Sequence, residues 1–293
     1  MPSSSFKEAL NSGKFVVTSE VAPPKGTDLS EMIENADLLR SRVDAVNITD
    51  QQSSVMRLGS LIASQQLKSR GIEPVFQLTC RDRNRIALQS DLLSAWAAGI
   101  ENVLCLTGDH VSLGDALGAK PVFDLDSVSL LATARALNEG VDLEGNELHG
   151  KTDFSLGAVV TPGADPVEPQ LIKMEKKVDA GAAFFQTQAV FDGDAFARFM
   201  ERAASLGVPV IAGIILLKSA GMARFMNENI AGVHVPKELI DEMAGIAKED
   251  RPAKSVEIAA RIVRAVRGIC HGVHIMPLGW EKRVPAVLDA ADL

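Results

Sequence analysis

The sequence predicts an α/β protein, a closed (β/α)8 TIM barrel. Eight short apolar runs alternate along the chain with segments of helical spacing. The runs are almost continuously apolar, which is typical of parallel strands that are covered on both faces. No linker rich in proline, glycine or serine divides the chain, so we expect residues 1–293 to form one domain. Eight strands that alternate with helices favour a closed barrel over an open doubly wound sheet.

The predicted strands are rich in valine, isoleucine and phenylalanine. They span residues 15–21, 44–49, 74–80, 102–108, 154–160, 183–188, 209–215 and 272–278. Helical spacing follows in residues 29–42, 55–70, 85–99, 126–140, 170–181 and 194–207. Several of these segments end in glycine, which tolerates the left-handed conformation after a helix. Residues 219–268 hold two or three further helices, so we predict an extra helix before the last strand.

Composition excludes several classes of function. The chain is 46% hydrophobic and 23% charged, enough apolar material for a large core. A net charge of -8 argues against a nucleic-acid surface, which would normally be basic. The first residues lack the apolar core of a signal peptide, and no apolar run is long enough for a membrane span. We therefore expect a cytoplasmic protein that does not bind membranes.

Cysteine usage indicates no disulfide framework and no metal site. Cys80, Cys105 and Cys270 are far apart and odd in number, so we expect reduced thiols in the core. The chain has no CxxC or HExxH motif and no Cys/His cluster, which makes zinc improbable. It also has neither GxGxxG nor GxxxxGK, so a Rossmann or P-loop nucleotide site is not supported.

Polar residues at strand ends are the candidates for function, because the strand ends of a barrel aim side chains into one pocket. They are Glu20, Thr49, Gln77, Asp109, Gln188 and His274. Glu20 follows apolar residues and precedes Ala22 and two prolines, so its carboxyl can be desolvated and act as a general acid. The alternative for Glu20 is a solvated loop carboxylate.

The other candidates also have structural interpretations. Asp109 could accept an N–H from a bound heterocycle or could cap a turn. The side-chain amide of Gln188 could form hydrogen bonds with the donor and acceptor edge of a ligand or with the protein backbone. Lys176 and Lys177 lie near a helix end, where the backbone dipole favours cations. We interpret His274 as an interior, hydrogen-bonded histidine.

Seven segments, taken in order, resemble the methylenetetrahydrofolate reductase family over nearly the whole chain. They are SEVAPPKG, NITDQQ, QLTC, LTGD, KKVDAGAAFFQTQAVFD, PVIAGI followed by RF, and GVH. The resemblance implies a flavin-bearing barrel that reduces 5,10-methylenetetrahydrofolate to 5-methyltetrahydrofolate, with the flavin as hydride carrier.

The resemblance also implies roles for individual residues. Glu20 takes the position of the general acid, Asp109 that of an aspartate beside flavin and pterin, and Gln188 that of a folate contact. The positions implied for flavin contacts are Thr49, Gln77, Thr107, Gly108, Asp109, Lys176 and Lys177. Folate is the implied small-molecule substrate.

Departures from the family pattern leave the cofactor and the electron donor open. Gln77 stands where the family often has histidine, and Thr107 where it often has arginine. Gln170 lies in a segment that lacks the His- and Asp-containing pattern for the adenosine end of FAD. FAD is the expected flavin, with FMN as the alternative. Residues 216–225 have small side chains where many members carry an aromatic, so the donor is either NAD(P)H or a reduced partner protein.

Two other interpretations compete with a reductase. One is a flavin-free folate-binding or methyl-transferring barrel, and the other is a structural subunit of a larger redox complex. Glu20 and Asp109 argue against a pure binding module, which needs no general acid. Barrels often associate through their outer helices, so a homo-oligomer is expected from general frequency alone.

Overall fold

Eight parallel strands close into a barrel in simple sequential order, in a computed structural model that describes residues 5–293 without the side chain of Ser5. The strands are β1 Val16–Val21, β2 Ala45–Ile48, β3 Pro74–Thr79, β4 Asn102–Leu106, β5 Ser155–Val160, β6 Phe184–Ala189, β7 Val210–Ile215 and β8 Gly272–Met276. Each strand pairs with the next, and β8 pairs with β1. The prediction of a TIM barrel is confirmed, and every strand end lies within two residues of its predicted position.

Helices surround the barrel and cover the outer faces of the strands. They are α1 Ser5–Asn11, α2 Ser30–Leu39, α3 Ser60–Lys68, α4 Arg85–Ala97, α5 Ser127–Glu139, α6 Glu168–Asp179, α7 Gly193–Ala203, α8 Ala220–Asn229, α9 Lys237–Ala244, α10 Arg251–Val266 and α11 Val284–Ala290. Three of them, α8 to α10, separate β7 from β8, so the predicted extra helix before the last strand is confirmed. None of the helices within residues 5–293 combines the length and the apolar character that crossing a membrane requires.

Two apolar cores hold the fold together. The larger core lies between the strands and the outer helices. The smaller core fills the amino-terminal end of the barrel with Val16, Ala45, Val75, Leu104, Phe184 and Ile211 from six strands. The α1 helix closes that end, since Phe6 and Leu10 join this core and Phe6 packs edge-on against Phe184 at 5.4 Å between ring centroids. With the amino-terminal end filled, the interior is polar and open only toward the carboxyl ends of the strands.

The three cysteines are free thiols in the described part of the chain. Cys80 and Cys105 are buried, and Cys270 is half-buried. Burial raises the pKa of the Cys80 thiol to about 12 and raises that of Cys105 as well. Both thiols are therefore protonated and unreactive at neutral pH.

Candidate active site at the carboxyl ends of the strands

A cavity of about 870 Å³ opens at the carboxyl ends of the strands, and we call it the mouth cavity. Residues from the segments that follow β1, β2 and β8 line it, among them Glu20, Lys25, Arg57 and Gly279. Active sites of this fold lie at this end, where the loops after the strands converge. Glu20 is the residue of this lining that combines an acidic group with a place on a barrel strand.

Glu20 lies near the end of β1 and is 8% exposed. Residues two apart on a strand share a face, so Val16, Thr18 and Glu20 all point into the barrel. Val16 contributes to the amino-terminal core, and Thr18 bonds to interior side chains at mid-height. Glu20 therefore stands at the top of an inward-facing column, between the polar interior and the mouth cavity.

A chain of buried polar side chains leads downward from Glu20. Its Oε2 lies 3.6 Å from Nε2 of His274, and Nδ1 of His274 lies 2.9 Å from the hydroxyl of Thr18. Gln186 donates from Nε2 to that hydroxyl, and it also exchanges two hydrogen bonds with the amide of Asn47. The interpretation of His274 as an interior, hydrogen-bonded histidine is confirmed, and the structure adds its contact with Glu20.

Sequence reasoning missed Thr18, Asn47 and Gln186. The signal was available, because each stands two residues before a strand-end residue that was singled out: Glu20, Thr49 and Gln188. Period-two alternation places Thr18 with Glu20, and Asn47 with Thr49, on the same face of a strand, whereas a register shift in β6 interrupts the alternation after Gln186. The surrounding apolar residues hid the alternation, since these strands are buried on both faces.

Arg81 ties three loops of the mouth together. It is 1% exposed, and its guanidinium pairs with Asp82 after β3. It also donates to the backbone carbonyls of Gln51 after β2 and Asp109 after β4. The carboxylate of Asp109 is left exposed on the rim, while its backbone is fixed from below. Asp109 was a candidate from its position after an apolar run, but no sequence pattern indicated the support from Arg81.

Gly108 precedes Asp109 and needs to be glycine. Its φ is +89°, and a Cβ there would lie 3.2 Å from the Cβ atoms of both Thr79 and Arg81. A side chain at this position would therefore require an unfavourable backbone conformation and would also contact Thr79 and Arg81 too closely.

The hydroxyl of Thr107 accepts a hydrogen bond from the backbone N–H of Ser127 at the start of α5. Thr107 thus supports the loop through its side chain.

Thr49 directly follows β2, and Gln77 lies within the neighbouring strand β3. The hydroxyl of Thr49 is buried and has no hydrogen-bond partner among the described residues. A buried polar group without a partner is costly, so such groups commonly have a ligand or water to satisfy them. Gln77 is half-buried, and its backbone carbonyl accepts from the hydroxyl of Ser60.

The remaining predicted residues lie apart from Glu20. Gln188 is exposed beyond a register shift in β6, where Thr187 accepts from the N–H of Gly213 and turns the strand end outward. Lys176 is exposed in the last turn of α6. Lys177 is buried, and its ammonium donates to the carbonyl of Val159 on β5 at 2.6 Å. Burial lowers the pKa of Lys177 to about 8.

The segment after β4 crosses the mouth and contacts the segments after β1 and β2. Asp115 forms an ion pair with Lys25. Gly114 lies directly on the backbone of Ser54, where a Cβ would approach the Ser54 carbonyl oxygen to 1.9 Å. Residues 107–120 therefore lie against the segments after β1 and β2, and we call them the cover.

Several groups at the carboxyl ends of β2 and β4 could hold an organic cofactor. They are the orphaned hydroxyl of Thr49, the backbone of Gly108 and the exposed carboxylate of Asp109, which fit a planar heterocycle with N–H and carbonyl edges. No group of three or more metal-ligating side chains occurs within residues 5–293. Thr107 and Lys177 already have protein partners, so these two side chains fit such a heterocycle less well.

Comparison with known proteins identifies the family. The family model of methylenetetrahydrofolate reductase matches residues 5–292. This chain belongs to the methylenetetrahydrofolate reductase family. The predicted family, and with it the prediction of an oxidoreductase, are confirmed.

Individual relatives agree with this assignment. The chain is 28% identical over 264 residues to the 5,10-methylenetetrahydrofolate reductase of Pectobacterium carotovorum, covering 85% of this chain and 82% of that one. It is 27% identical over 265 residues to the Escherichia coli enzyme of the same name, covering 86% and 83%.

A solved structure shares the fold. A Clostridium thermocellum protein, described as binding two copies of 5-methyl-5,6,7,8-tetrahydrofolic acid, has a TM-score of 0.66 at 17% identity, covering 97% of this chain and 96% of that one. Oxaloacetate acetylhydrolase has a TM-score of 0.54 at 10% identity, covering 97% of this chain and 82% of that one. At such low identities, these two likenesses concern the barrel fold alone.

Proposed function

We propose that this chain reduces 5,10-methylenetetrahydrofolate to 5-methyltetrahydrofolate, with a flavin as hydride carrier and Glu20 as general acid. One observation carries the proposal: a nearly buried carboxyl group stands on a barrel strand at the mouth cavity, in a member of this family. A general acid must lie within reach of the substrate, and a carboxyl group that lines the mouth cavity meets this condition.

Glu20 donates its proton to N10 of the folate in the proposed reaction. Protonation of N10 breaks the bond between N10 and the methylene carbon and opens the five-membered ring. The methylene group is then an iminium on N5, which accepts a hydride and becomes the methyl group. A bound flavin would supply that hydride. Glu20 is left as a carboxylate and regains a proton before the next turnover.

Folate binding in the mouth cavity is the second part of the proposal. Asp109 would accept N–H groups from the pterin, and Gln188 would contact the folate from β6. Membership of the methylenetetrahydrofolate reductase family supports a folate ligand, and the C. thermocellum protein of the same fold is described as binding 5-methyl-5,6,7,8-tetrahydrofolic acid. The cover formed by residues 107–120 would limit access of water while the ring is open.

The flavin would lie against the ends of β2, β3 and β4. Thr49, with its orphaned buried hydroxyl, is the residue whose surroundings favour a ligand most. Gln77, Thr107, Gly108 and Asp109 complete this side, and Lys176 and Lys177 are proposed contacts from α6. FAD is the proposed flavin, with FMN as the alternative. The electron donor would be NAD(P)H or a reduced partner protein, and we expect a cytoplasmic enzyme.

An absorption spectrum of the purified protein tests the proposal first. Flavin bands that bleach on anaerobic addition of NADH and recover with 5,10-methylenetetrahydrofolate are the expected result for a self-sufficient enzyme. Bands that ignore NADH but respond to dithionite and then to the folate would identify a partner protein as donor. A colourless protein that binds 5-methyltetrahydrofolate would overturn the flavin and favour a folate-binding barrel. Chromatography of the released flavin would separate FAD from FMN.

A further inference from the structure

His274 lies beneath Glu20 in the barrel, with Nε2 facing the carboxyl group of Glu20. Its other ring nitrogen, Nδ1, is hydrogen-bonded to Thr18 in a network of buried polar side chains. We infer that His274 is a positioning residue for Glu20, and that Thr18, Gln186 and Asn47 hold its ring in the neutral form that carries a proton on Nε2. The inference rests on the proposed role of Glu20. It adds a defined protonation state and direction of hydrogen bonds to that site.

The side-chain amides of Asn47 and Gln186 determine which groups donate and which accept in this network. Nδ2 of Asn47 donates to Oε1 of Gln186 at 2.7 Å. Nε2 of Gln186 donates in return to Oδ1 of Asn47 at 3.1 Å and, with its second hydrogen, to the hydroxyl of Thr18 at 3.3 Å. Both N–H bonds of Gln186 are thereby used, so the Thr18 oxygen is an acceptor in this bond.

The hydroxyl of Thr18 accepts from Gln186 and can donate to the imidazole of His274. Its own hydrogen is free to point at Nδ1 of His274, which lies 2.9 Å away. We infer that it does point there, so that Nδ1 carries no proton and a neutral ring carries its proton on Nε2. Nε2 is the atom that lies 3.6 Å from Oε2 of Glu20, so its N–H is directed toward that carboxyl group.

A neutral histidine with its hydrogen on Nε2 can donate to a carboxylate without carrying a charge itself. After the proton of Glu20 has moved to the folate, the new carboxylate has little access to water, because Glu20 is 8% exposed. An N–H at Nε2 of His274, 3.6 Å from Oε2, would then stabilise that carboxylate.

Burial argues that His274 orients Glu20 and does not connect it to solvent. The histidine is 4% exposed, against 8% for Glu20, so the carboxyl group is the more accessible of the two. Glu20 is therefore reprotonated from the mouth cavity, which it lines. Nε2 of the ring lies 3.6 Å from one oxygen of the carboxyl group, which leaves the other oxygen free to turn toward the substrate.

Nitrogen-15 NMR of the imidazole rings tests the tautomer without catalysis or a bound cofactor. The signals of His274 are assigned by their loss in His274→Gln. We expect a protonated Nε2 and an unprotonated Nδ1 near neutral pH in the wild-type protein, and a change of that pattern in Thr18→Val. A proton on Nδ1, or a charged ring, in the wild-type protein would overturn the inference.

Single-turnover kinetics test the positioning role. Reduced enzyme is mixed with 5,10-methylenetetrahydrofolate, and formation of 5-methyltetrahydrofolate is followed. His274→Gln and Thr18→Val should slow this step roughly 10- to 100-fold, since misplacement of a catalytic group by a fraction of an ångström to 1 Å costs up to this much. Thr18→Ser, which keeps the hydroxyl, should recover most of the rate.

Matched variants separate positioning from loss of stability. His271→Gln removes an exposed histidine at the other end of β8, and Thr133→Val removes a buried hydroxyl from α5. Both should react at the wild-type rate. Thermal unfolding identifies any variant that fails to fold, and the wild-type NMR result stands independently of the variants.

Comparison with Glu20→Gln distinguishes the two levels of inference. If Glu20→Gln loses the folate step while folded His274→Gln and Thr18→Val react at the wild-type rate, the positioning role is wrong and the proposed function survives. If Glu20→Gln also reacts at the wild-type rate, the general acid itself is wrong. Slowing of all three, with recovery in Thr18→Ser, is the result that the network predicts.

Discussion

The carboxylate of Asp50 and the guanidinium of Arg83 form a two-point ion pair beneath the mouth, with nitrogen–oxygen distances of 2.7 and 3.2 Å. The side chain of Asp50 is fully buried, and it also accepts from the backbone N–H and the hydroxyl of Thr79 at the end of β3. Asp50 directly follows Thr49. The pair therefore fixes the carboxyl ends of two neighbouring strands at the place proposed for the flavin.

Asp50→Asn should destabilise the fold by about 3–5 kcal/mol, because it leaves the partly buried Arg83 without its main counter-charge. Urea unfolding at neutral pH measures the change in the free energy of unfolding. Asp241→Asn, which breaks the exposed pair between Asp241 and Lys237 on α9, is the matched control and should have no measurable effect. Equal stability of the two variants would contradict the structural importance of the buried pair.

Gly114→Ala should detach the cover from the mouth. The new Cβ would lie 1.9 Å from the carbonyl oxygen of Ser54, a backbone atom, so one of the two segments must move. We expect a loss of about 1–3 kcal/mol and faster proteolysis within residues 107–120. Gly118→Ala in the same segment meets nothing within 4 Å and should behave as wild type. If residues 107–120 resist proteolysis equally in both variants, Gly114 does not anchor the cover.

Glu20→Gln should separate the two half-reactions of the proposed enzyme. Glutamine keeps the size of the side chain but has no proton of comparable acidity, so reduction of the folate should slow by about 10²- to 10⁴-fold. Reduction of the flavin needs no such acid and should be nearly unchanged. Rapid-mixing absorbance measurements follow each half-reaction separately. Equal losses in both would rule out the assigned role.

Asp109→Asn should change both the flavin and the folate chemistry. The substitution removes one negative charge at the rim but keeps the backbone carbonyl that Arg81 holds. Loss of one charge-assisted hydrogen bond would lower folate turnover roughly 10- to 100-fold and would shift the flavin reduction potential upward. Glu144→Gln is the control, because Glu144 is an exposed carboxylate in the segment that leads from α5 into the start of β5. An unchanged potential and rate would remove Asp109 from the site.

The barrel strands could be predicted from the sequence because parallel strands covered on both faces leave continuous apolar runs. The α1 helix could not, since its seven residues are too short for a periodic signal. Its helical state depends on the contact of Phe6 with Phe184, far away in the chain. Tertiary packing, rather than local propensity, forms this helix.

The candidate site was predictable at single positions but not as a set of contacts. Glu20 and Asp109 could be recognised because each ends an apolar run with a carboxylate. Their supports could not, since His274 is 254 positions from Glu20 and reaches it only through closure of β8 onto β1. The burial of Arg81 could not be predicted either, because two of its partners are backbone carbonyls of other loops and its pairing with the adjacent Asp82 does not indicate burial.

Lys177→Met should change how stability depends on pH. Burial lowers the pKa of Lys177 from its ordinary value of 10.5 to about 8. Between these two values the unfolded chain binds the proton and the folded chain does not, so this residue makes the free energy of unfolding rise with pH. The rise is complete near pH 10.5 and amounts to about 3 kcal/mol at most. Lys177→Met should abolish this contribution.

Urea unfolding of the variant and the wild type across this pH range isolates the lysine, because the cysteines contribute equally to both curves. The stability difference between wild type and Lys177→Met should therefore shift in favour of the wild type as the pH rises from about 8 to 10.5. Lys176 is the exposed neighbour in the same turn of α6, so the free energy of unfolding of Lys176→Met should change with pH as that of the wild type does. A Lys177→Met curve that runs parallel to the wild-type curve would mean that the buried amine keeps its ordinary pKa, and the bond to Val159 would then hold a permanently charged ammonium.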